Sequence, residues 1–240
     1  MKISVIIPFF NEEGNVDFVL REVREVLATL NVNFEIVVID DGSNDATGSL
    51  LKKASEQIAE LRVIAHPRNY GQSAGLWSGF QIATGDVIIT MDGDGQADFH
   101  DIPRMLDFLP QYTAVFGQRV KRHDPLHKLI ATQVAFILRR FVLGDDFRDT
   151  SGPLKVMKRE VLQYLIPIRN FHCFIPFLFK QAGVSYIAVD INHRPRIWGK
   201  TKYCLTKFYF LAMATDLLFM WWYRKRNILK DILPNMERIK

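Results

Sequence analysis

Cysteine is scarce in this 240-residue chain, with Cys173 and Cys204 the only two. A single pair is too little for a disulfide framework, so a reducing compartment is the expectation. No G-x-G-x-x-G opens the first helix-like segment and no G-x-x-x-x-G-K-[ST] occurs anywhere, which argues against a Rossmann dinucleotide site and a P-loop. Any phosphate must then be held by a metal and by cationic side chains. Internal repeats, low-complexity tracts and an evident linker are missing too, which predicts one domain with a basic C-terminal extension. The opening MKISVIIPFFNEEGN is not read as a secretory signal. Its apolar run is short and breaks at Asn11-Glu12-Glu13 without a small-residue cleavage site, so it is read as a first strand.

What is present is a strongly apolar chain, 48% hydrophobic and 12% aromatic, ample for a real core. Its net charge of +5 is unevenly placed. Residues 1–110 carry more acidic than basic groups, whereas 119–140 and 194–240 are rich in Lys and Arg. A basic C-terminal half suggests an anionic partner: phosphate, nucleic acid or a membrane surface.

The runs ISVIIPFF, FEIVVID, RVIAH and DVIITM read as strands. They alternate with helical patterns in NEEGNVDFVLREVREVLATL, NDATGSLLKKASEQIAEL and GQSAGLWSGFQIAT. That alternation predicts an α/β fold with a parallel sheet, whose ligands sit beyond the C-terminal strand ends. After residue 110, TAVFGQR reads as a further strand and LHKLIATQVAFILRRFVL as a helix, and the stretch from FRDTSG to GKTKY is mixed.

Carboxylates gather where the strands should end. Asp92 and Asp94 stand two apart in TMDGDGQADF, with Gly93 between them and Gln96 behind. Like charges so close repel, and the site calls for a divalent cation such as Mg2+ or Mn2+, which prefers oxygen ligands and keeps positions open for substrate phosphate. Asp40 and Asp41 in DDGSND serve either a turn with a helix cap at Ser43 or Asn44, or hydrogen bonding to a nucleobase or ribose.

Together VIIPFFNEEGN, VVIDDGSNDAT, HPRNYGQSAGLWSGFQIATGDVIITMDGDGQ and HRPRIWGKTKY, in this order and spacing, resemble the family 2 glycosyltransferases. More narrowly they resemble the polyprenyl-phosphate sugar synthases, over roughly residues 3–203. The resemblance implies a GT-A-type (nucleotide-diphospho-sugar transferase) fold and an inverting, metal-dependent transfer from a nucleotide-diphosphate sugar. Carried over by position, Pro8, Phe10, Asn11, Glu12, Asp40, Asp41, Gln72, Asp92 and Gly93 would line the donor pocket. Asp92, Asp94 and Gln96 would hold the metal. Arg196 and Lys202, in R-x-x-G-x-[ST]-K, would hold the donor diphosphate. Both also fit a solvated basic face or headgroup attraction. Arg119 would meet the acceptor phosphate with Lys128 and Thr132, although His127 with Ala131 fits the family spacing in another frame. Asp149 would orient the acceptor or act as a base, and also fits a cap. Catalysis would rest on Asp94, Arg119, Arg196, Lys202 and Asp149. His172 reads as a core or interface histidine.

A polyprenyl acceptor requires a bilayer. CLTKFYFLAMATDLLFMWWY (204–223) is apolar and aromatic but contains Lys207 and Asp216, which disfavours spanning. Flanked by basic residues, with Trp221, Trp222 and Tyr223 at one end, it is expected to be an amphipathic helix lying in the cytoplasmic leaflet. A core or dimer helix is the alternative. The expected organisation is a catalytic domain over 1–203, with a nucleotide-sugar half (1–118) and an acceptor half (119–203), followed by a membrane-associating segment over 204–240. Nucleic acid is not among the partners this reading implies, and a homo-oligomer or a small membrane partner stays open. The competing function is transfer to a glycan or lipid hydroxyl, which needs a base, with Asp149 the candidate. A phosphate monoester needs none. A non-enzymatic nucleotide-sugar-binding protein is a third reading.

Overall fold

The computed structural model describes residues 1–119, 126–145, 147–196, 198–199 and 207–228, and only the backbone of 126–131 and 207–213. The first half alternates strictly: β1 (Lys2–Phe9), α1 (Val16–Thr29), β2 (Asn33–Asp40), α2 (Thr47–Gln57), β3 (Leu61–Ala65), α3 (Gln72–Ile82) and β4 (Val87–Thr90). Then follow α4 (Ile102–Leu106), β5 (Ala114–Arg119), α5 (Leu126–Leu143), β6 (Lys155–Lys158), α6 (Ile175–Gln181), β7 (Tyr186–Ile191) and α7 (Lys207–Arg226). The seven strands form one sheet in the order β3-β2-β1-β4-β6-β5-β7. Every neighbouring pair is parallel except those of β6, which runs antiparallel to β4 and to β5.

β1 can be apolar along its whole length because helices cover both faces of the sheet. Ile3, Val5, Ile7 and Phe9 pack with Val19, Val23 and Leu27 of α1. Ile6 faces the other way, into a cluster with Leu76 and Phe80 of α3 and Phe177 and Phe179 of α6. The result is a helix–sheet–helix sandwich, as the alternation predicts.

Three expectations change. The cap expected at Ser43 or Asn44 is not formed, because the 41–46 turn first folds back onto the end of β1. Ser43 Oγ accepts the Asn11 N–H at 2.9 Å, α2 starts at Thr47, and Asp45 Oδ1 accepts the Thr47 N–H at 3.0 Å. The division expected near residue 118 falls inside β5, whose partners are β6 and β7. Finally, α7 is not amphipathic in the simple sense. Met220 is fully buried, and Leu217 and Tyr223 pack in the same cluster, yet Leu218, Phe219, Trp221 and Trp222 are exposed. Docking on the domain uses one apolar side of α7 and leaves a second uncovered. Among the described residues, no helix is long and apolar enough to cross a membrane.

Candidate active site

Because β1, β2 and β4 are parallel neighbours, their C-terminal ends open at one edge, with Phe9 opposite Asp40 and Ile6 opposite Thr90. The loops that follow carry most of the residues singled out in the sequence. Asn11 adopts a positive φ of 49°, uncommon outside glycine. It is locked there, its N–H donating to Ser43 and its Oδ1 accepting from Asn44 N at 2.7 Å. Asp40 Oδ1 accepts from Ser43 N at 3.0 Å.

Asp41 is engaged by a neighbouring loop. Its oxygens accept the N–H groups of Tyr70 (3.0 Å) and Gly71 (2.7 Å) and pair with His66 Nδ1 (2.7 Å). At 2% exposure it pins the 66–71 loop from behind, with both oxygens engaged by protein groups.

The paired aspartates lie against β1. A Cβ on Gly93 would come within 2.7 Å of the Phe9 ring and 2.8 Å of the Pro8 carbonyl oxygen, so only glycine fits between the two carboxylates. Asp92 Oδ1 accepts from Gln72 Nε2 at 2.5 Å. Burial first, and the Asp94 charge second, push the Asp92 carboxyl up to about 7, against the pull of Lys155, Arg119 and Arg196. Asp94 Oδ1 accepts from Gln96 N at 3.1 Å. Gln96 turns its amide Nε2 to the Arg194 carbonyl at 3.2 Å.

Arg196 reaches this point from the far end of the chain. Its Nη2 donates to Asp94 Oδ2 at 2.6 Å and its Nη1 to Glu12 Oε1 at 2.9 Å. Trp198 lies over Gly14, where a Cβ would meet its ring at 2.7 Å, and Gly199 takes a positive φ of 80°. Arg196, Trp198 and Gly199 thus lie against the NEEGN loop. Lys202 lies outside the described residues. Asp92, Asp94 and Gln96 offer two carboxylates and a carboxamide, and Asp94 already holds a cation in Arg196; oxygen donors of this kind suit Mg2+ or Mn2+.

A second group lies at the end of β5. The Arg119 guanidinium grips Asp149 through Nε (2.8 Å) and Nη2 (2.6 Å), Arg119 N adds a third bond, and Ser151 Oγ accepts at 3.1 Å. Thr132 is half-buried on α5, and the Lys128 side chain lies outside the described residues.

Between the two groups lies a polar floor that the sequence reading missed. Lys155, 4% exposed, opens β6. Its position on the same strand face as Met157 was the available signal. His172 is buried and its Nδ1 pairs with Ser73 Oγ at 2.8 Å. Burial and the Lys155 charge push it down to about 3, so it is neutral, as a satisfied core histidine would be.

Glu22, Asp98 and His100 also converge. Arg194 Nη2 already sits 2.5 Å from Glu22 Oε1 and 2.6 Å from Asp98 Oδ1, making an ion-pair knot that anchors the approach to Arg196. Beside Gln72 lies a cavity of about 630 Å³, lined among others by Arg68, Tyr70, Trp77, Arg169 and Phe171.

A mostly parallel sheet with paired aspartates and an arginine at its strand ends is a GT-A-like architecture. The chain belongs to glycosyl transferase family 2, whose family model matches residues 4–166. Among curated proteins it is similar to the undecaprenyl-phosphate 4-deoxy-4-formamido-L-arabinose transferase of Pectobacterium atrosepticum. The two are 31% identical over 218 residues, covering 90% of this chain and 66% of that protein. The protein of the same name from Photorhabdus laumondii is 31% identical over 220 residues, covering 90% and 67%. This chain therefore spans about two thirds of the length of these relatives. Among solved structures, glucosyl-3-phosphoglycerate synthase from Mycobacterium tuberculosis superposes with a TM-score of 0.67 at 20% identity, over 93% of this chain and 79% of that one. The same enzyme in complex with Mn2+, uridine diphosphate and glucosyl-3-phosphoglycerate gives 0.66.

Proposed function

We propose that the chain is a metal-dependent inverting glycosyltransferase that moves a sugar from a nucleotide-diphosphate sugar to a polyprenyl phosphate at the cytoplasmic face of a membrane. The observation that carries the reading is the junction of Glu12, Arg196 and Asp94, which joins a diphosphate-binding arginine to the metal-binding carboxylates. An acceptor phosphate oxygen forms the new bond to the anomeric carbon while the bond to the diphosphate breaks, and the electron pair leaves with the nucleoside diphosphate. Charge grows on the departing phosphate, where the Arg196 fork neutralises it. Mg2+ or Mn2+ held by Asp92, Asp94 and Gln96 would supply further charge there. The names of the relatives and the Mn2+ and uridine diphosphate bound in the mycobacterial enzyme support this reading.

A phosphate acceptor is favoured over a hydroxyl because both Asp149 oxygens accept from Arg119, so the carboxylate that a hydroxyl would need as its base is already engaged in an ion pair. The exposed Trp221 and Trp222 above Arg224, Lys225 and Arg226 support a peripheral attachment to anionic lipid. The test is a panel of nucleotide sugars assayed for release of nucleoside diphosphate, with and without undecaprenyl phosphate. Release that depends on the polyprenyl phosphate supports the reading, and equal release onto neutral glycan or lipid hydroxyls overturns it.

A further inference from the structure

We infer that Lys155 is a positioning residue of the transfer site, its buried ammonium serving as the fixed counter-charge shared by Asp92 on the donor side and the Asp149–Arg119 clamp on the acceptor side. The inference rests on the transferase reading above. Lys155 stands opposite Thr90 of β4 and Phe116 of β5 in the sheet register. That places it where the strand leading to Asp92 and the strand ending in Arg119 meet across β6.

Stability does not account for it. An ammonium carries three hydrogens, and Lys155 Nζ makes one hydrogen bond among the described residues, to the Gly152 carbonyl at 2.5 Å. Taking an ammonium out of water is costly, and a single charge-assisted bond to a carbonyl offsets only part of that cost. Burial pulls its proton affinity down, and Asp92, Cys173 and Asp149 oppose that pull. Arg119 repels it, Ser73 and a neutral His172 lie nearby, and burial keeps the Cys173 thiol up and uncharged. The two aspartates are thus the charges that face it favourably.

The single bond has a mechanical consequence. Gly152 closes a turn on Asp149, its N–H donating to the Asp149 carbonyl at 2.9 Å. By holding Gly152, Lys155 fixes the turn whose carboxylate grips Arg119. A lysine buried at the seam of two half-sites, at a cost to the fold, is the pattern of a group retained for activity.

The test compares Lys155→Met and Lys155→Gln with wild type in the full chain. It reads thermal melting, binding of Mn2+ with uridine diphosphate, and sugar transfer to undecaprenyl phosphate per mole of folded protein. Methionine matches the volume without the charge, and glutamine can still donate to the Gly152 carbonyl. Both variants are expected to melt at or above the wild-type temperature while transfer falls by roughly 10–100-fold, the range found when groups behind a metal site are removed. Undiminished transfer in Lys155→Met, recovery of transfer in Lys155→Gln, or a lower melting temperature in both would assign Lys155 to the fold and overturn the inference. If Lys155→Met fails to fold, Lys155→Gln alone decides. A wild-type protein that transfers sugar from no donor sinks the transferase reading, and this inference with it, before any variant is made.

Discussion

Arg196 Nη2 lies 2.6 Å from Asp94 Oδ2 across 102 positions of sequence, and the same guanidinium holds Glu12. The arginine expected to bind diphosphate and a carboxylate expected to bind metal thus already form a pair. Asp94→Ala should abolish turnover, and it should remove the part of nucleotide binding that depends on Mg2+ or Mn2+. Turnover should vanish with a chelator and return with either ion. Full turnover in chelator would remove the metal from the reading.

Arg196→Ala should lower kcat by roughly 10²–10³, the loss typical of one donor to a developing anion, and weaken nucleotide diphosphate binding much less. The assay belongs in detergent micelles free of anionic lipid. There an arginine that merely attracts the membrane would show no defect, and that result would reassign Arg196.

Asp149→Asn leaves an amide that cannot hold the Arg119 guanidinium through two acceptor oxygens. The expected outcome is a higher KM for the polyprenyl phosphate, with binding of Mn2+ and uridine diphosphate unchanged. If Asp149 were a base, the variant would instead lose the acidic limb of the kcat–pH profile. Calorimetry together with that profile separates the two.

The opposite end of the sheet offers a stability test remote from the chemistry. Burial works to raise the Glu35 carboxyl, but hydrogen bonds from Ser4 and from the Thr84 N–H and hydroxyl, with the Lys2 charge, overcome it and hold the group at about 2, below its ordinary 4.5. A depressed carboxylate contributes stability that is complete above the unfolded value near 4.5 and is lost as pH falls from there through 2. At about 1.4 kcal/mol per pH unit, the contribution is on the order of 3 kcal/mol. Glu35→Gln should therefore lower the melting temperature at pH 7, by about 2–4 °C for each kcal/mol lost, and flatten its fall between pH 4.5 and 2. Transfer per folded molecule should not change. An unaltered melting curve would reject the account.

Much of this was legible because the first half of the chain obeys local rules. Continuous β-branched runs, helical spacing and glycine-rich strand ends each give the same answer for β1 to β4, and the strand ends then have to share one edge. The paired aspartates announce themselves by proximity in sequence. What escaped depends on tertiary pairing. Asp41 reads like Asp40, and only the Tyr70 and Gly71 amides reveal that it clamps a loop. Lys155 opens a strand of only four residues that ends in a second lysine, Lys158, and its place on the same face as Met157 is too short a pattern to separate the buried lysine from the other one. The helix of 204–223 was seen, shifted to Lys207–Arg226. Its docked side was not, because Leu217 and Met220 look the same in sequence as Leu218 and Trp221.

That second apolar side sets up the last prediction. Phe141 of α5 is 90% exposed, and Trp221 and Trp222 of α7 are 44% and 53% exposed, on two helices that pack together. Asp216, which would oppose insertion, accepts from Asn170 Nδ2 at 2.8 Å, a bond that ties α7 to the domain. Burying the exposed half of each tryptophan is worth about 1 kcal/mol, half the value for a fully buried large side chain. Each nearby Arg or Lys adds about 1 kcal/mol at an anionic surface. Replacing both tryptophans with serine should then weaken binding to vesicles containing anionic phospholipid by at least about tenfold and leave nucleotide binding intact. High salt should weaken the wild type only in part, since screening acts on the cations and not on the rings. In the double variant the same salt should release nearly all of the protein. A double variant that cosediments with vesicles as tightly as wild type would show that this face does not meet the membrane. A wild type that resists alkaline carbonate extraction would show that the attachment is not peripheral.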